Sequence, residues 1–382
     1  MSISEADVEA LSQLTRSTLN VAWRSEGYTS PNDHTYPWLW LWDSCFHAVL
    51  WGALGDERAL SELAAVFLNQ GADGFVPHMG YQADPAQALG TWGQEGASII
   101  TQPPMYAHAA RVLSDAGLRP SDEIIDRCAR GLDYLWRRRM REDGLLVLVH
   151  PWESGCDDSA RWGSWMPDPF DKPTWDKTKK QLVENAVVED GAAVASPDFE
   201  VSSVAFNALF AFNASELATL TGERIWQSRA DEIRDRLAGR WRGNTWTDGS
   251  HSSGDVDTIE ALLPLLLEGE RDRDEAWGAI LDPARFDAPF GPRQTSKAAP
   301  TYLPDKYWRG PTWPQLNYLL WVAARRAART DMAEHLASVT ARGAIDSRFA
   351  EYWNAETGDG LGAIPQSWTG LAWIMASGWE IP

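Results

Sequence analysis

The sequence predicts an all-α fold, an (α/α)6 toroid of six helical hairpins, and three observations carry that expectation. Twelve segments place apolar residues at three- and four-residue spacing, the period of a helix buried along one side. The links between them alternate between short and long. Only one stretch, LLVLVH at 145–150, reads as a strand.

In chain order the helical segments fall at about 5–23, 43–54, 56–69, 103–116, 121–140, 199–221, 223–242, 257–267, 272–281, 312–328, 331–348 and 367–377. Ser121 caps SDEIIDRCARGLDYLW. Asp257 precedes TIEALLPLLL with Glu260 three residues on, the spacing of a capping box. Gly55, Gly117 and Gly222 stand where helices should stop, because glycine takes the left-handed conformation that closes a helix end. Links near Gly55, Pro120, Gly222 and Asp331 are tight. Those at 70–102, 141–198, 282–311 and 349–366 are long and rich in Trp, Gly, Pro and Asp. Tight turns on one face and long loops on the other describe hairpins set in a ring. Loops this long in a compact fold carry function or lack order, and their aromatic content points to function. No Ser/Gly linker or charge block interrupts the chain, so residues 1–382 are expected to form one domain. That exceeds the usual ~150 residues, but closed toroids run longer as single units.

Hydrophobic residues at 44% and charged residues at 23% suit a soluble globular protein. Acidic residues number 54 against 34 basic, a formal charge of −20. Such a surface repels a phosphate backbone and an anionic membrane alike. No apolar run approaches the ~20 residues that span a bilayer. The start, MSISEADVEALSQL, lacks the basic and apolar regions of a signal peptide. Cys45, Cys128 and Cys156 are odd in number and widely spaced, which suits a reducing cytoplasm rather than disulfides or zinc. Tryptophan is the outlier. Its 22 residues outnumber the nine tyrosines and eleven phenylalanines combined. Core filling accounts for more than half of them. Flat rings with one N–H donor are also what sugar faces stack on, so the expected partner is a small carbohydrate.

Five motifs carry candidate chemistry. In YPWLWLWDSCFHA, 36–48, Asp43 opens a helix, as a cap or as a pocket carboxylate. Trp38, Trp40 and Trp42 share one side if the stretch before it is extended, making an aromatic wall. In TQPPMYAHA, 101–109, Pro103 and Pro104 suit a first helical turn, and the Gln102 amide can both donate to and accept from a hydroxyl. HPWESGCDDSARW, 150–162, packs Glu153, Asp157, Asp158 and Arg161 into one loop. Close carboxylates raise one another's pKa while an arginine keeps a neighbour ionised, the split a general acid needs. A solvated acidic turn is the alternative. KYWRGPTWPQLNY, 306–318, sets Trp308, Arg309 and Trp313 before a helix. In FAEYWNAETGDGLGAIPQSWTGLAW, 349–373, Glu351 sits among aromatic residues, an expensive place for a carboxylate without a task, and Gln366 and Trp368 begin the last helix. No HExxH occurs and SSGDVDTIE at 252–260 reads as a helix start, so neither metal nor cofactor is expected. Among seven histidines, His34 and His150 lie in or beside these loops without a paired motif, which disfavours proton transfer at carbon by a sugar epimerase or isomerase. A non-catalytic sugar-binding protein would keep the tryptophans and Asp43 but would not need Asp157 and Glu351 together.

WESGCDDSARW resembles the ESGWDxSxRW signature of the trehalase and glycoside hydrolase family 63 clan, inverting (α/α)6 α-glycosidases. WDS, QPP, YWRGPxW and EYW with the later Gln366 and SWT follow in that clan's order, over about residues 36–373. The likeness is greatest to small bacterial members that hydrolyse mannosylglycerate or glucosylglycerate. It implies Asp157 as general acid and Glu351 as general base. Trp42, Asp43, Gln102, Glu153, Arg161, Trp308, Arg309 and Trp313 match sugar-site positions, while Tyr36, Tyr81 and Gln366 match positions that hold the aglycone. The chain departs from the pattern at 163–198, where the arginine and tyrosine expected for a glycerate carboxylate do not align. Lys172 or Lys177 is the expected substitute if this loop folds over the pocket. A neutral disaccharide or glycosyl polyol is the alternative substrate. The sequence leaves the oligomeric state, a homo-oligomer included, open.

Overall fold

A computed structural model describes residues 3–249 and 256–380. Its helices are α1 (Glu5–Ala22), α2 (Leu41–Ala53), α3 (Arg58–Ala65), α4 (Leu89–Trp92), α5 (Tyr106–Asp115), α6 (Asp122–Arg139), α7 (Lys172–Glu184), α8 (Val204–Thr221), α9 (Arg224–Ala238), α10 (Asp274–Ile280), α11 (Pro314–Arg326), α12 (Thr330–Asp346) and α13 (Leu371–Ser377). The segment expected at 257–267 is a 3-10 helix, Ile259–Leu266, with Pro264 inside it. Proline has no N–H for an i→i−4 bond, so the tighter winding replaces the α-helix there.

These helices close a ring. α2 packs on α5, α5 on α8, α8 on Ile259–Leu266, that segment on α11, α11 on α13, and α13 back on α2. The inner members are buried nearly all round, as in Leu41–Gly52 of α2, all of Ile259–Leu266 and Pro314–Ala324 of α11. A helix apolar on every side has no stable place at a surface. α1, α3, α6, α9, α10 and α12 lie outside and bury one stripe each, as Trp226, Ala230, Ile233 and Leu237 do on α9. α1 packs against both α12 and α13, so the first helix seals the last hairpin. The all-α toroid expected from the spacing is the fold observed.

The short links run from an inner helix out to its partner and the long ones lead back in. Gly55, Gly117 and Gly222 end helices in the left-handed conformation, at φ 68°, 84° and 73°. The Ser121 hydroxyl accepts from the Ile124 amide. Because each inner helix is entered from a long loop, those loops collect at the N-terminal ends of the inner helices. Three two-stranded antiparallel ribbons brace this face: β1 (Leu39–Trp40) with β2 (Met79–Gly80), β3 (Val187–Glu189) with β4 (Ala192–Ala195), and β5 (Tyr352–Trp353) with β6 (Gly360–Leu361).

Four expectations need correction. The run 145–150 is not a strand; it makes isolated bridges from Leu146 to Met140 and from Leu148 to Val201, because no neighbouring segment stays extended beside it. Asp257 and Glu260 form no capping box. Asp257 pairs with Arg285, and Glu260 is buried against Ser159 and Gln294. α8 starts at Val204, after a loop. The stretch 163–198 contains α7 and the β3–β4 ribbon rather than a bare loop. Residues 252–255 of SSGDVDTIE lie outside the described residues. No described helix is long and apolar enough to cross a membrane.

Candidate active site

The long loops deliver side chains to one small cavity of about 80 Å³. β1 and the first turn of α2 supply Trp40, Trp42 and Asp43; Gln102 precedes α5; Gly155 and Asp157 come from the 150–162 loop. Tyr307 and Trp308 precede α11, and Glu351, Gln366 and Trp368 come from the segment before α13. Tyr36 and Pro31 complete the wall.

Three carboxyl groups face this aromatic space, and burial governs all of them. It pushes Asp157 up to about 7, against the pull of Lys179, Lys172 and a hydrogen bond from Tyr307, with Asp158 pushing the same way as burial. Glu351 is also raised to about 7 by burial and by Asp157, although hydrogen bonds from Ala363 and Tyr36 act to lower it. Asp43 lies well above its usual range through burial and the nearby Glu351. The two loop carboxyls differ in their hydrogen bonding. Glu351 accepts from the Ala363 amide at 2.9 Å and from the Tyr36 hydroxyl at 3.1 Å. Among the described residues, the Asp157 carboxyl receives only the Tyr307 hydroxyl, at 3.4 Å.

Backbone geometry concentrates here as well. Gly155 is left-handed at φ 71°, and a Cβ there would lie 2.6 Å from the Trp42 ring. Gly362, also at φ 71°, leaves the space that Glu351 Oε2 occupies. Trp308, Arg348 and Phe349 hold positive φ without being glycine, at 55°, 61° and 64°. Such strain persists where packing over-determines it. Trp308 is clamped by stacking on Trp313 at 3.6 Å, which stacks in turn on Tyr352 at 4.4 Å. The Trp368 indole holds the Glu351 carbonyl at 3.0 Å. Trp40 Nε1, Trp308 Nε1 and Gln366 Oε1 are buried without a partner among the described residues, so polar groups point from the wall with bonding capacity to spare.

The model of the mannosylglycerate hydrolase MGH1-like glycoside hydrolase domain matches residues 36–369. The chain belongs to this family of glycoside hydrolases. A glucosylglycerate hydrolase of Mycolicibacterium hassiacum is 31% identical, over 88% of this chain and 91% of that protein. A mannosylglycerate hydrolase of Rubrobacter radiotolerans is 27% identical, over 95% of each. In fold, the hydrolase superposes on the family 63 mannosylglycerate hydrolase of Thermus thermophilus, solved with glucose, with a TM-score of 0.82 at 24% identity, covering 96% and 99% of the two chains. The neutral trehalase of Saccharomyces cerevisiae shares the fold more distantly, at TM-score 0.58 and 13% identity over 92% of this chain and 73% of that one.

Ten of the fifteen site residues expected from the hydrolase's sequence line the cavity: Tyr36, Trp40, Trp42, Asp43, Gln102, Asp157, Trp308, Glu351, Gln366 and Trp368. Five stand behind it. Glu153 is wholly buried, paired with Arg139 at 2.6 Å and accepting from the Thr101 and Val149 amides. Arg161 ties Asp248, at 2.6 Å, and that carboxylate holds the N-terminus of α8 through Val204. Arg309 contacts Met166 Sδ and the Phe170 ring. Trp313 backs Trp308. Tyr81 accepts from Trp92 and packs on Trp38, which does not line the cavity as Trp40 and Trp42 do. Pro31, Gly155 and Tyr307 join the wall without having been expected there. Tyr307 adjoins Trp308 within the YWRGP motif, the one sequence signal that pointed to it.

Proposed function

We propose that the hydrolase is an inverting, exo-acting α-glycosidase for a small glycosylglycerate, glucosylglycerate first, with Asp157 as general acid and Glu351 as general base. The observation that carries this is the pair of buried carboxyls, both raised to about 7 yet held differently, in one tryptophan-lined cavity. Hydrogen bonds to a carboxylate favour its ionised form, so Glu351 is the member suited to take a proton from water. Asp157, with one long bond, is suited to keep its proton and pass it to the glycosidic oxygen as the C–O bond breaks. Water attacks the opposite face of the sugar, which requires the two groups to stand roughly 6.5–9.5 Å apart. Asp43, Gln102, Gln366 and the indole N–H groups bind hydroxyls, and the rings exclude water.

The relatives' activities support glycerate as aglycone. A neutral aglycone is the second reading, favoured by one observation. Lys172, the lysine against the Tyr307 ring at 5.3 Å, is already shared by Asp158 and Asp176, and Lys177 is exposed. Proton NMR of early product tests both points. Glucosylglycerate should release β-glucose first and outpace mannosylglycerate and neutral α-glucosides. First release of the α-anomer rejects inversion, and faster turnover of neutral α-glucosides rejects glycerate. A second check is steric. Gly155→Ala should displace the Trp42 ring and cut kcat/KM by about tenfold to a hundredfold, read in steady-state kinetics. Unchanged kinetics would remove Trp42 from the binding wall.

A further inference from the structure

The helix α7, within the stretch where the chain departs from its family's pattern, presents one face to the Asp157–Asp158 pair. Lys172, Trp175, Asp176 and Lys179 are spaced three, four and seven residues apart, so they share that face. Lys179 is buried, and its ammonium meets Asp158 at 2.5 Å and Asp176 at 3.0 Å. Lys172 meets the other oxygen of Asp158, and Asp176, both at 3.1 Å. The Trp175 indole bridges the two neighbours, donating to the Asp158 carboxylate at 3.0 Å and to the Asp157 carbonyl at 3.4 Å. Asp158 is fully buried, and nothing about glycoside cleavage requires a second carboxylate there.

We propose that this face of α7 is a positioning and charge-compensating device for Asp157, in which Asp158 engages Lys172 and Lys179 so that Asp157 meets substrate still carrying its proton. The proposal rests on Asp157 being the proton donor. Two lysines beside an acid would strip its proton if left uncompensated, since a cation within ~4–6 Å favours the carboxylate. Asp158 and Asp176 bring the cluster to neutrality. The remaining groups facing Asp157 are Glu351 and Asp43 across the cavity, the Tyr36 and Tyr307 hydroxyls, and the Cys156 thiol beside it. None of these is a cation; Arg309 acts on Asp158 without an ion pair to it, so the two lysines are the cations in direct contact with that carboxylate. Trp175 adds the geometric part, fixing the backbone from which the acid projects. Asp158 and Lys179 are thus positioning residues, acting through Asp157.

The test is the alkaline limb of kcat/KM for glucosylglycerate, with α-glucosyl fluoride as the substrate that needs little protonation. Asp158→Asn should move the limb down by about one pH unit, because both lysines then act on Asp157. Lys172→Met, at a half-exposed position, should move it up by a smaller amount. The double variant Asp158→Asn/Lys179→Met should return the limb toward its original place. If neither single variant moves the limb while the glycoside still shows one that the fluoride lacks, the compensation is overturned. If glycoside and fluoride share one profile from the start, it is Asp157 as acid that fails instead.

Discussion

Asp157→Asn is expected to lower kcat on glucosylglycerate by about 10²–10⁴, the usual worth of a general acid, while α-glucosyl fluoride loses far less. Fluoride departs without a full proton, so an amide in place of the acid costs it little. Glu351→Gln should lose activity on both substrates, because water activation fails whatever the leaving group. Steady-state kinetics on the two substrates separates the roles. Equal losses for Asp157→Asn would reject it as acid, and a milder Glu351→Gln on the fluoride would reject the base. A larger loss in Asp158→Asn than in Asp157→Asn would shift the acid by one residue. The pH dependence has a matching sign. The proposed mechanism requires Glu351 ionised and Asp157 protonated, and burial raises both to about 7. The profile should therefore be a narrow bell around neutrality. It falls on the acid side as Glu351 gains its proton and on the alkaline side as Asp157 loses its own, with limbs that belong to the pair.

The ring was legible because its information is periodic. Twelve helical segments and the glycines at 55, 117 and 222 are written in single residues at fixed spacing; the structure forms eleven of the segments as α-helices and winds the one at 257–267 as a 3-10 helix. The lining of the cavity was legible where a motif puts a candidate side chain at the start of a helix, as with Asp43, Gln102 and Gln366. What escaped was depth. Glu153 and Arg161 sit in the same motif as Asp157, and nothing in their spacing says that they point away from the cavity. Only the partners Arg139 and Asp248, remote in sequence, decide that. α7 escaped for another reason. Three of the four residues on its face, Lys172, Asp176 and Lys179, are charged, so its helical period reads as a solvated charge run until Asp158 is placed against it.

Glu153 supplies the second large effect, and it is one of stability rather than binding. Its carboxylate is wholly buried and satisfied four times, by the two terminal nitrogens of the Arg139 guanidinium and by two backbone amides from different loops. Arg139 also donates to the Val147 and Ala193 carbonyls. The pair thus ties the end of α6 to three segments beneath the active-site face. Glu153→Gln removes the charge and leaves a guanidinium buried without its counter-ion, which costs about 3–5 kcal/mol. Urea unfolding should show a loss of that size, and Arg139→Met should show a similar one. Combining Glu153→Gln with Arg139→Met should cost clearly less than the sum of the two, since the second change removes the charge that the first left stranded. The folded fraction of Glu153→Gln should keep its KM for glucosylglycerate, because the side chain is not at the cavity surface. A tenfold rise in KM with stability intact would return Glu153 to the sugar site.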